Sequence, residues 1–289
     1  MSGKHKVKIN YKRFFCVIIC FALAVALVIV GIVSLVKSRK SSVNKSNTSD
    51  TSISADSSSD AQSQAEPVKV DYETRVGKNY EIDITDYLQY IEPETDEYLF
   101  LVNPTHTLAS DYVPDDLVDC GITRKDGRAT QKLRKCAAKA LEALMAEGAK
   151  NGVTNVTATS AYRSYDYQQY LFNLYCEQNQ SKFKTREECE KYVLTFSTKP
   201  GTSEHQSGLC LDMHNISSAE VTFAQKPEAK WLAENCYRFG FILRYPEDKT
   251  EITGITFEPW HFRFVGREYA TQMHEKNMCL EEYMEYLGK

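Results

Sequence analysis

Two short stretches hold the residues best suited to chemistry. Pro200-Gly201-Thr202-Ser203-Glu204-His205-Gln206-Ser207-Gly208-Leu209-Cys210-Leu211-Asp212-Met213 sets a histidine and an aspartate seven positions apart. Glu258-Pro259-Trp260-His261-Phe262 adds a glutamate and a second histidine. Imidazole nitrogens, a carboxylate oxygen and a spare carboxylate make up a catalytic zinc site, which keeps one coordination position open and a base nearby. His205, Asp212 and His261 are therefore the expected ligands of one Zn2+. Glu258, close in sequence to His261, is the expected base. Glu204 competes for that role, but adjacent residues of an extended segment point opposite ways, so it is expected to leave the site or to back a ligand.

The two residues of the second stretch raise a geometric problem. Glu258 and His261 are three positions apart, which on a flat strand puts them on opposite faces. Pro259 cannot donate to a ladder and implies an edge, a turn or a bulge between them. A bulge is expected to bring both side chains to one side. Arg163 lies at the end of a β-branched segment and offers a cationic fork for a substrate carboxylate or a developing oxyanion. Ser203 and Gln168 can add hydrogen bonds. Taken singly, His106, His214 and His274 read as structural or surface residues.

The elements that would position these groups are legible in the pattern. Ala129 to Ala149 repeats Leu133, Ala137, Leu141, Leu144 and Gly148 at helical spacing. Val153 to Thr159 reads as a strand that delivers Arg163, with Ser164 as the N-cap of the next helix. Thr185-Arg186-Glu187-Glu188 is a capping box. From Leu209 the chain alternates, with Leu209, Leu211 and Met213 on one face and Cys210, Asp212 and His214 on the other. Pro227 to Phe239 is a helix closed by Gly240. Glu97 to Val102, Phe241 to Tyr245 and Ile255 to Val265 read as strands, and Arg267–Lys276 and Leu280–Leu287 as helices. Short links between strands predict an α+β fold, a single compact domain with a central antiparallel sheet flanked by helices.

Composition divides the 289 residues unevenly. Phe14 to Val36 lacks charge and, at ~1.5 Å per residue, reaches about 34 Å, enough for a bilayer core of ~30 Å. The expected organisation is a basic cytoplasmic tail (1–13), a transmembrane anchor (14–36) for which a cleaved signal peptide is the alternative, a disordered Ser-rich linker (37–67) and a catalytic domain (68–289). That order puts the N-terminus inside and the domain outside the cell membrane. A net charge of −4 without a basic block beyond the membrane flanks excludes nucleic acid. Of nine cysteines, seven lie outside the apolar run and none forms a C-x-x-C pair. Cys176 and Cys189 could bridge consecutive helices, and a fully reduced state is an equal alternative.

Three segments together resemble the VanY-type zinc D-alanyl-D-alanine carboxypeptidases. They are Ser160-Ala161-Tyr162-Arg163-Ser164 with Gln168; Ser203-Glu204-His205-Gln206-Ser207-Gly208 through Asp212; and Gly240-Phe241-Ile242-Leu243-Arg244-Tyr245-Pro246 running on to Glu258-Pro259-Trp260-His261-Phe262-Arg263-Phe264-Val265-Gly266. The resemblance covers about Glu97 to Gly266. It implies zinc on His205, Asp212 and His261, Glu258 as base, and Arg163 as oxyanion stabiliser or substrate grip. Tyr162, Gln168 and Ser203 would help bind the substrate. The implied activity is removal of the terminal D-alanine from peptidoglycan stem peptides, and the catalytic domain is expected to be monomeric. The related L,D-carboxypeptidases acting on tetrapeptide stems and a non-catalytic wall-binding module are the alternatives. Cys210 departs from the pattern, where the family often has alanine. It reads as a small buried hydrophobe, with a fourth metal ligand as the other possibility.

Overall fold

The computed structural model describes Tyr80–Lys289. The expected basic tail, transmembrane anchor and Ser-rich linker lie outside the described residues. Among the described residues, no helix is long and apolar enough to cross a membrane. In chain order the elements are α1 (Leu88–Ile91), β1 (Leu117–Asp119), β2 (Lys132–Arg134), α2 (Lys135–Lys150), β3 (Thr157–Ser160), α3 (Tyr165–Asn179), α4 (Arg186–Val193), β4 (Cys210–His214), α5 (Pro227–Asn235), β5 (Phe241–Leu243), α6 (Thr250–Thr253), β6 (His261–Phe264), α7 (Arg267–Lys276) and α8 (Leu280–Tyr286). Short 3-10 turns supply several of the connections.

The four strands β3, β4, β6 and β5 lie side by side in that order, and every pair is antiparallel. β1 and β2 form a separate antiparallel pair, so the α+β fold has two sheets, not one. The alternation read from Leu209 onward sets the larger sheet's two faces. Leu211 and Met213 of β4, with Phe262 and Phe264 of β6, are fully buried in the main core. Ala137, Leu141 and Leu144 of α2 belong to the same core. Cys210, Asp212 and His214 take the opposite face, because residues alternate along a strand.

Local signals end the helices where the sequence indicates. The Ser164 side chain accepts from the Tyr167 amide at the start of α3. Thr185 and Glu188 form the capping box of α4. Pro227 opens α5, and the chain reaches Gly240 in the left-handed region with φ 83°. A Cβ there would sit 2.7 Å from Phe264 Cε2, so glycine meets both the backbone and the packing requirement.

Three expectations need correction. The helix expected from Ala129 begins only at Lys135, because residues 132–134 pair with β1 and Arg134 is extended (φ −58°, ψ 146°). The expected strand Glu97–Val102 forms no ladder. Its Tyr98 and Phe100 carbonyls instead accept from Arg263 Nη2 at 3.0 and 2.9 Å, so a buried guanidinium takes the place of a partner strand. The expected strand Ile255–Val265 is ordered as a strand only over His261–Phe264. Cys176 and Cys189 are both free thiols in a small core between α3 and α4, where the Cys189 thiol donates to the Cys176 carbonyl at 3.2 Å. The other five cysteines among the described residues are free as well.

Candidate metal centre

The β4–β6 register places Asp212 directly opposite His261. Side chains of directly opposed residues stand on the same face. Asp212 Oδ1 accordingly lies 3.1 Å from His261 Nδ1. His205 arrives from a different local structure, the 3-10 turn Glu204–Ser207. That turn is held by Ser207, whose hydroxyl donates to the Glu204 carbonyl and accepts from the Leu209 amide. Gly208 then turns the chain into β4 with φ 69°, where a Cβ would meet Leu117 Cδ2 at 2.9 Å. The His205 Nδ1–H donates to the Ala161 carbonyl at 2.7 Å, which fixes the ring and leaves the Nε2 lone pair free. That nitrogen lies 3.5 Å from Asp212 Oδ2. The two imidazoles stand edge to face, with centroids 5.0 Å apart.

Glu258 joins this group without the expected bulge. The His261 amide donates to the Glu258 carbonyl at 3.2 Å, so Glu258-Pro259-Trp260-His261 is a β-turn with proline at its second position. The turn, placed just before β6, brings Glu258 Oε2 to 3.5 Å from His261 Nδ1. Burial pushes the Glu258 carboxyl up to about 7, with the Asp212 charge adding to burial and the histidines and Arg163 opposing it.

Glu204 lies behind His261, away from Glu258. Its Oε1 accepts from Arg244 Nε at 2.7 Å and from Arg263 Nη1 at 3.0 Å, and its Oε2 lies 3.6 Å from His261 Nε2. Burial alone would raise this carboxyl, but the two guanidiniums and His261 outweigh it and hold it well below the usual range. Glu204 is therefore an ion-pair partner and not a proton acceptor for water. Arg244 also forks onto both oxygens of Glu281 on α8, at 2.8 and 2.5 Å. Sequence reasoning left Arg244, Arg263 and Glu281 without a role. The available signal was a charged residue interrupting each of two apolar strand segments, Ile242-Leu243-Arg244-Tyr245 and Phe262-Arg263-Phe264.

Arg163 follows β3, and its amide donates to the His205 carbonyl at 3.1 Å. Its buried Nε has no hydrogen-bond partner among the described residues. Its charge is felt at both His205 and Glu258. Gln168, on α3, faces elsewhere: its Nε2 donates to the Thr198 carbonyl at 2.7 Å and holds that loop. Its Oε1 is buried and unpartnered. Ser203 is buried just before the 3-10 turn, and its carbonyl accepts from the Gln206 amide. Tyr162 is half-buried, with its amide donating to the Lys132 carbonyl. Thus His205, Asp212, His261, Glu258 and Arg163 come together. Gln168 is turned toward the loop at Thr198.

The donor atoms fit a divalent cation. A neutral His261 with its proton on Nε2, toward Glu204, presents the Nδ1 lone pair to Asp212 Oδ1 and Glu258 Oε2. Three acceptors then converge, a cluster that only positive charge between them can stabilise. Asp212 Oδ1 is buried and has no hydrogen-bond partner among the described residues. Burial opposes protonation of His261, but Cys210, Asp212 and Glu204 outweigh it and push its ring well above the usual range. The pocket therefore attracts positive charge. Its potential ligand atoms form two groups, each within 4.8 Å: His205, Cys210 and His261, and Asp212, Glu258 and His261.

Comparison with known proteins places this site in a family. The family model for VanY, D-alanyl-D-alanine carboxypeptidase, matches residues 130–267. The bifunctional D-Ala-D-Ala dipeptidase and carboxypeptidase VanXYC of Enterococcus gallinarum is 32% identical over 197 residues, covering 66% of this chain and 95% of that protein. The chain spans about half the length of two further relatives, the D-alanyl-D-alanine carboxypeptidases of Enterococcus faecium and Enterococcus faecalis, at 39% and 42% identity. Among solved structures, the LdcB LD-carboxypeptidase superposes with a TM-score of 0.56 at 35% identity, over 64% of this chain and 84% of that one. A VanY D,D-pentapeptidase from a VanB-type resistance cassette, solved with Zn(II), gives 0.54 at 34% identity, over 65% and 98%. Over nearly the whole of VanXYC, and around a site whose donors converge from three separate segments, this chain belongs to the VanY family of carboxypeptidases.

Proposed function

We propose that this protein is a zinc-dependent D-alanyl-D-alanine carboxypeptidase that removes the terminal D-alanine from peptidoglycan stem peptides. The observation that carries the reading is the meeting of Asp212 with His205 Nε2 and His261 Nδ1, with Glu258 3.5 Å from the latter. His205, Asp212 and His261 would hold one Zn2+. Zinc, when bound, would polarise the scissile carbonyl and make the attacking water more acidic.

The remaining work falls to side chains of this chain. Glu258, with its carboxyl raised to about 7, is poised to take a proton from water and return it to the leaving amine. Arg163, with a buried and unpartnered Nε, would hold the negative charge that develops on the carbonyl oxygen or the substrate's terminal carboxylate. Tyr162 and Ser203 would line the approach. Gln168 would order the loop at Thr198 rather than touch the substrate. Glu204 would keep the His261 ring in place. The segment 14–36 would anchor the protein in the cell membrane, with a monomeric catalytic domain outside, where stem peptides lie.

L,D-cleavage of tetrapeptide stems is the second reading, favoured by the similarity to LdcB. Both substrates end in D-alanine. Incubating the protein with pentapeptide and tetrapeptide stems, with and without chelator, separates the two. Chelator-sensitive release of one D-alanine from the pentapeptide alone is the expected result. Release from the tetrapeptide alone transfers the assignment to the L,D-enzyme. No release from either by the zinc-loaded protein leaves a wall-binding module and overturns the enzyme reading.

A further inference from the structure

The chain that precedes β1 lies along the loop that carries His205, and contacts along its length hold it there. The Leu108 amide donates to the Gly201 carbonyl at 2.8 Å. Gln206 Nε2 donates to the Ala109 carbonyl at 2.8 Å and to the Tyr112 carbonyl at 3.2 Å. Pro114 Cγ and Leu117 Cδ2 close around Gly208, 3.3 and 2.9 Å from where a Cβ would stand. Gln206 is 1% exposed and follows His205 in the 3-10 turn Glu204–Ser207. Ala109–Tyr112 is itself a turn, closed by the Tyr112 amide on the Ala109 carbonyl at 3.1 Å. The two protons on Gln206 Nε2 therefore take both ends of that turn. Gln206 Oε1 is buried and has no hydrogen-bond partner among the described residues, so the side-chain amide serves here as a donor only.

A clamp on this turn fixes what the turn displays. Tyr112 is half-buried, and Val113 beside it is 59% exposed. Tyr112 stands near Tyr162: burial raises the Tyr162 hydroxyl, and Tyr112 adds to the effect. Tyr162 lies between Ala161, whose carbonyl accepts from His205 Nδ1, and Arg163, whose amide donates to the His205 carbonyl. The turn and Tyr162 are thus both fastened to the segment that carries His205. We propose that Tyr112 extends the substrate wall begun by Tyr162 and contacts the stem peptide upstream of the scissile bond, and that Gln206 is the positioning residue that sets this wall against the metal centre. A phenol suits the role, because its ring packs on an apolar group while its hydroxyl reaches a peptide unit. The inference rests on the carboxypeptidase reading above. Gln206 touches no reacting atom in it. Released from the clamp, the turn samples positions that do not fit the peptide, and the apparent affinity falls with the docked fraction.

The test measures D-alanine release by the zinc-loaded full chain from pentapeptide or tetrapeptide stems, whichever the wild type cleaves, with kcat and KM separated. Tyr112→Ala is expected to raise KM about tenfold and to leave kcat and zinc affinity within about threefold. Gln206→Ala should raise KM by a similar factor. The double variant should be no worse than the poorer single one, because both changes break one link. Hydrogen exchange at the Tyr112 amide should be faster in Gln206→Ala, with exchange in β4 unchanged. Gln206→Met, which fills the same space without the donors, stands in if Gln206→Ala fails to fold. An unchanged KM in Tyr112→Ala, single effects that multiply in the double variant, or a Gln206 effect confined to zinc affinity overturns the proposal and leaves the enzyme reading intact. A zinc-loaded wild type that releases no D-alanine from either stem overturns both.

Discussion

Glu204→Gln is the sharpest test of how the centre is supported. The substitution keeps the size of the side chain and removes its charge. In the native protein Glu204 sits between Arg244 and Arg263, with side chains 0%, 1% and 0% exposed in that order. The cluster balances two guanidiniums against Glu204 and Glu281. Without the Glu204 charge, Arg244 keeps Glu281, but Arg263 is left with neutral acceptors, the amide oxygen of the new glutamine and the carbonyls of Tyr98, Phe100 and Phe264. Removing one member of a buried ion pair costs about 3–5 kcal/mol, because the charge left behind is neither solvated nor paired. For a domain of this size each kcal/mol moves the melting midpoint by about 2–4 °C, so the expected drop is roughly 6–20 °C. His261 Nε2 also loses its carboxylate neighbour at 3.6 Å, and loss of such an outer partner lowers metal affinity about 10–100-fold. Glu281→Gln is the control: its side chain is 16% exposed, and a cost of about 1 kcal/mol is expected. Urea unfolding of the metal-free proteins reads the first effect, and competition with a chromophoric chelator reads the second. Glu204→Gln within 1 kcal/mol of the wild type, with unchanged zinc affinity, would refute the claim that this cluster holds the centre.

Three further outcomes are expected. Glu258→Gln should retain zinc but lose turnover by about 10²–10⁴-fold, measured as D-alanine release under saturating substrate; an unchanged rate removes Glu258 from proton transfer. Arg163→Ala should lower kcat by about 10²–10³-fold while leaving zinc affinity within a few-fold, which separates an oxyanion role from a structural one. Cys236 is buried and its thiol is pushed up to about 12 by desolvation. A group raised in the folded state stabilises fully below its unfolded value and loses that contribution as pH rises through the folded one. Between about pH 9 and 12 it should cost about 1.4 kcal/mol per pH unit, and Cys236→Ala should flatten that part of the stability–pH curve. An unaltered alkaline slope in Cys236→Ala counts against the assignment.

The sequence was most informative where one local rule governs. Alternation along Leu209–Met213 separated Asp212 from the core residues beside it, because a strand has only two faces. The N-cap Ser164, the capping box at Thr185 and the C-terminal Gly240 are likewise short-range signals. Legibility failed where a distant group decided the outcome. Glu97–Val102 has the composition of a strand, but its carbonyls go to Arg263, a residue far along the chain. Lys132–Arg134 continues a helical pattern, yet it pairs with β1. Pro259 announced a break in regularity without saying which kind, and a β-turn met the requirement as well as a bulge. Arg244 and Arg263 were the hardest to read. A charge on a strand suggests exposure, and the opposing Glu204 that reverses this lies 40 and 59 residues away.

The pairing of Asp212 with His261 across β4 and β6 has a consequence for how this scaffold can diversify. The spacing between the two donors is dictated by backbone ladders and not by the connecting chain, and antiparallel neighbours keep that spacing within narrow limits. Segment 246–257 lies outside those ladders and holds no buried residue, so it can lengthen, shorten or change composition while their separation stays fixed. Sequence change there therefore needs no compensating change at the centre. A change of length or composition in segment 246–257 should leave metal binding as it was.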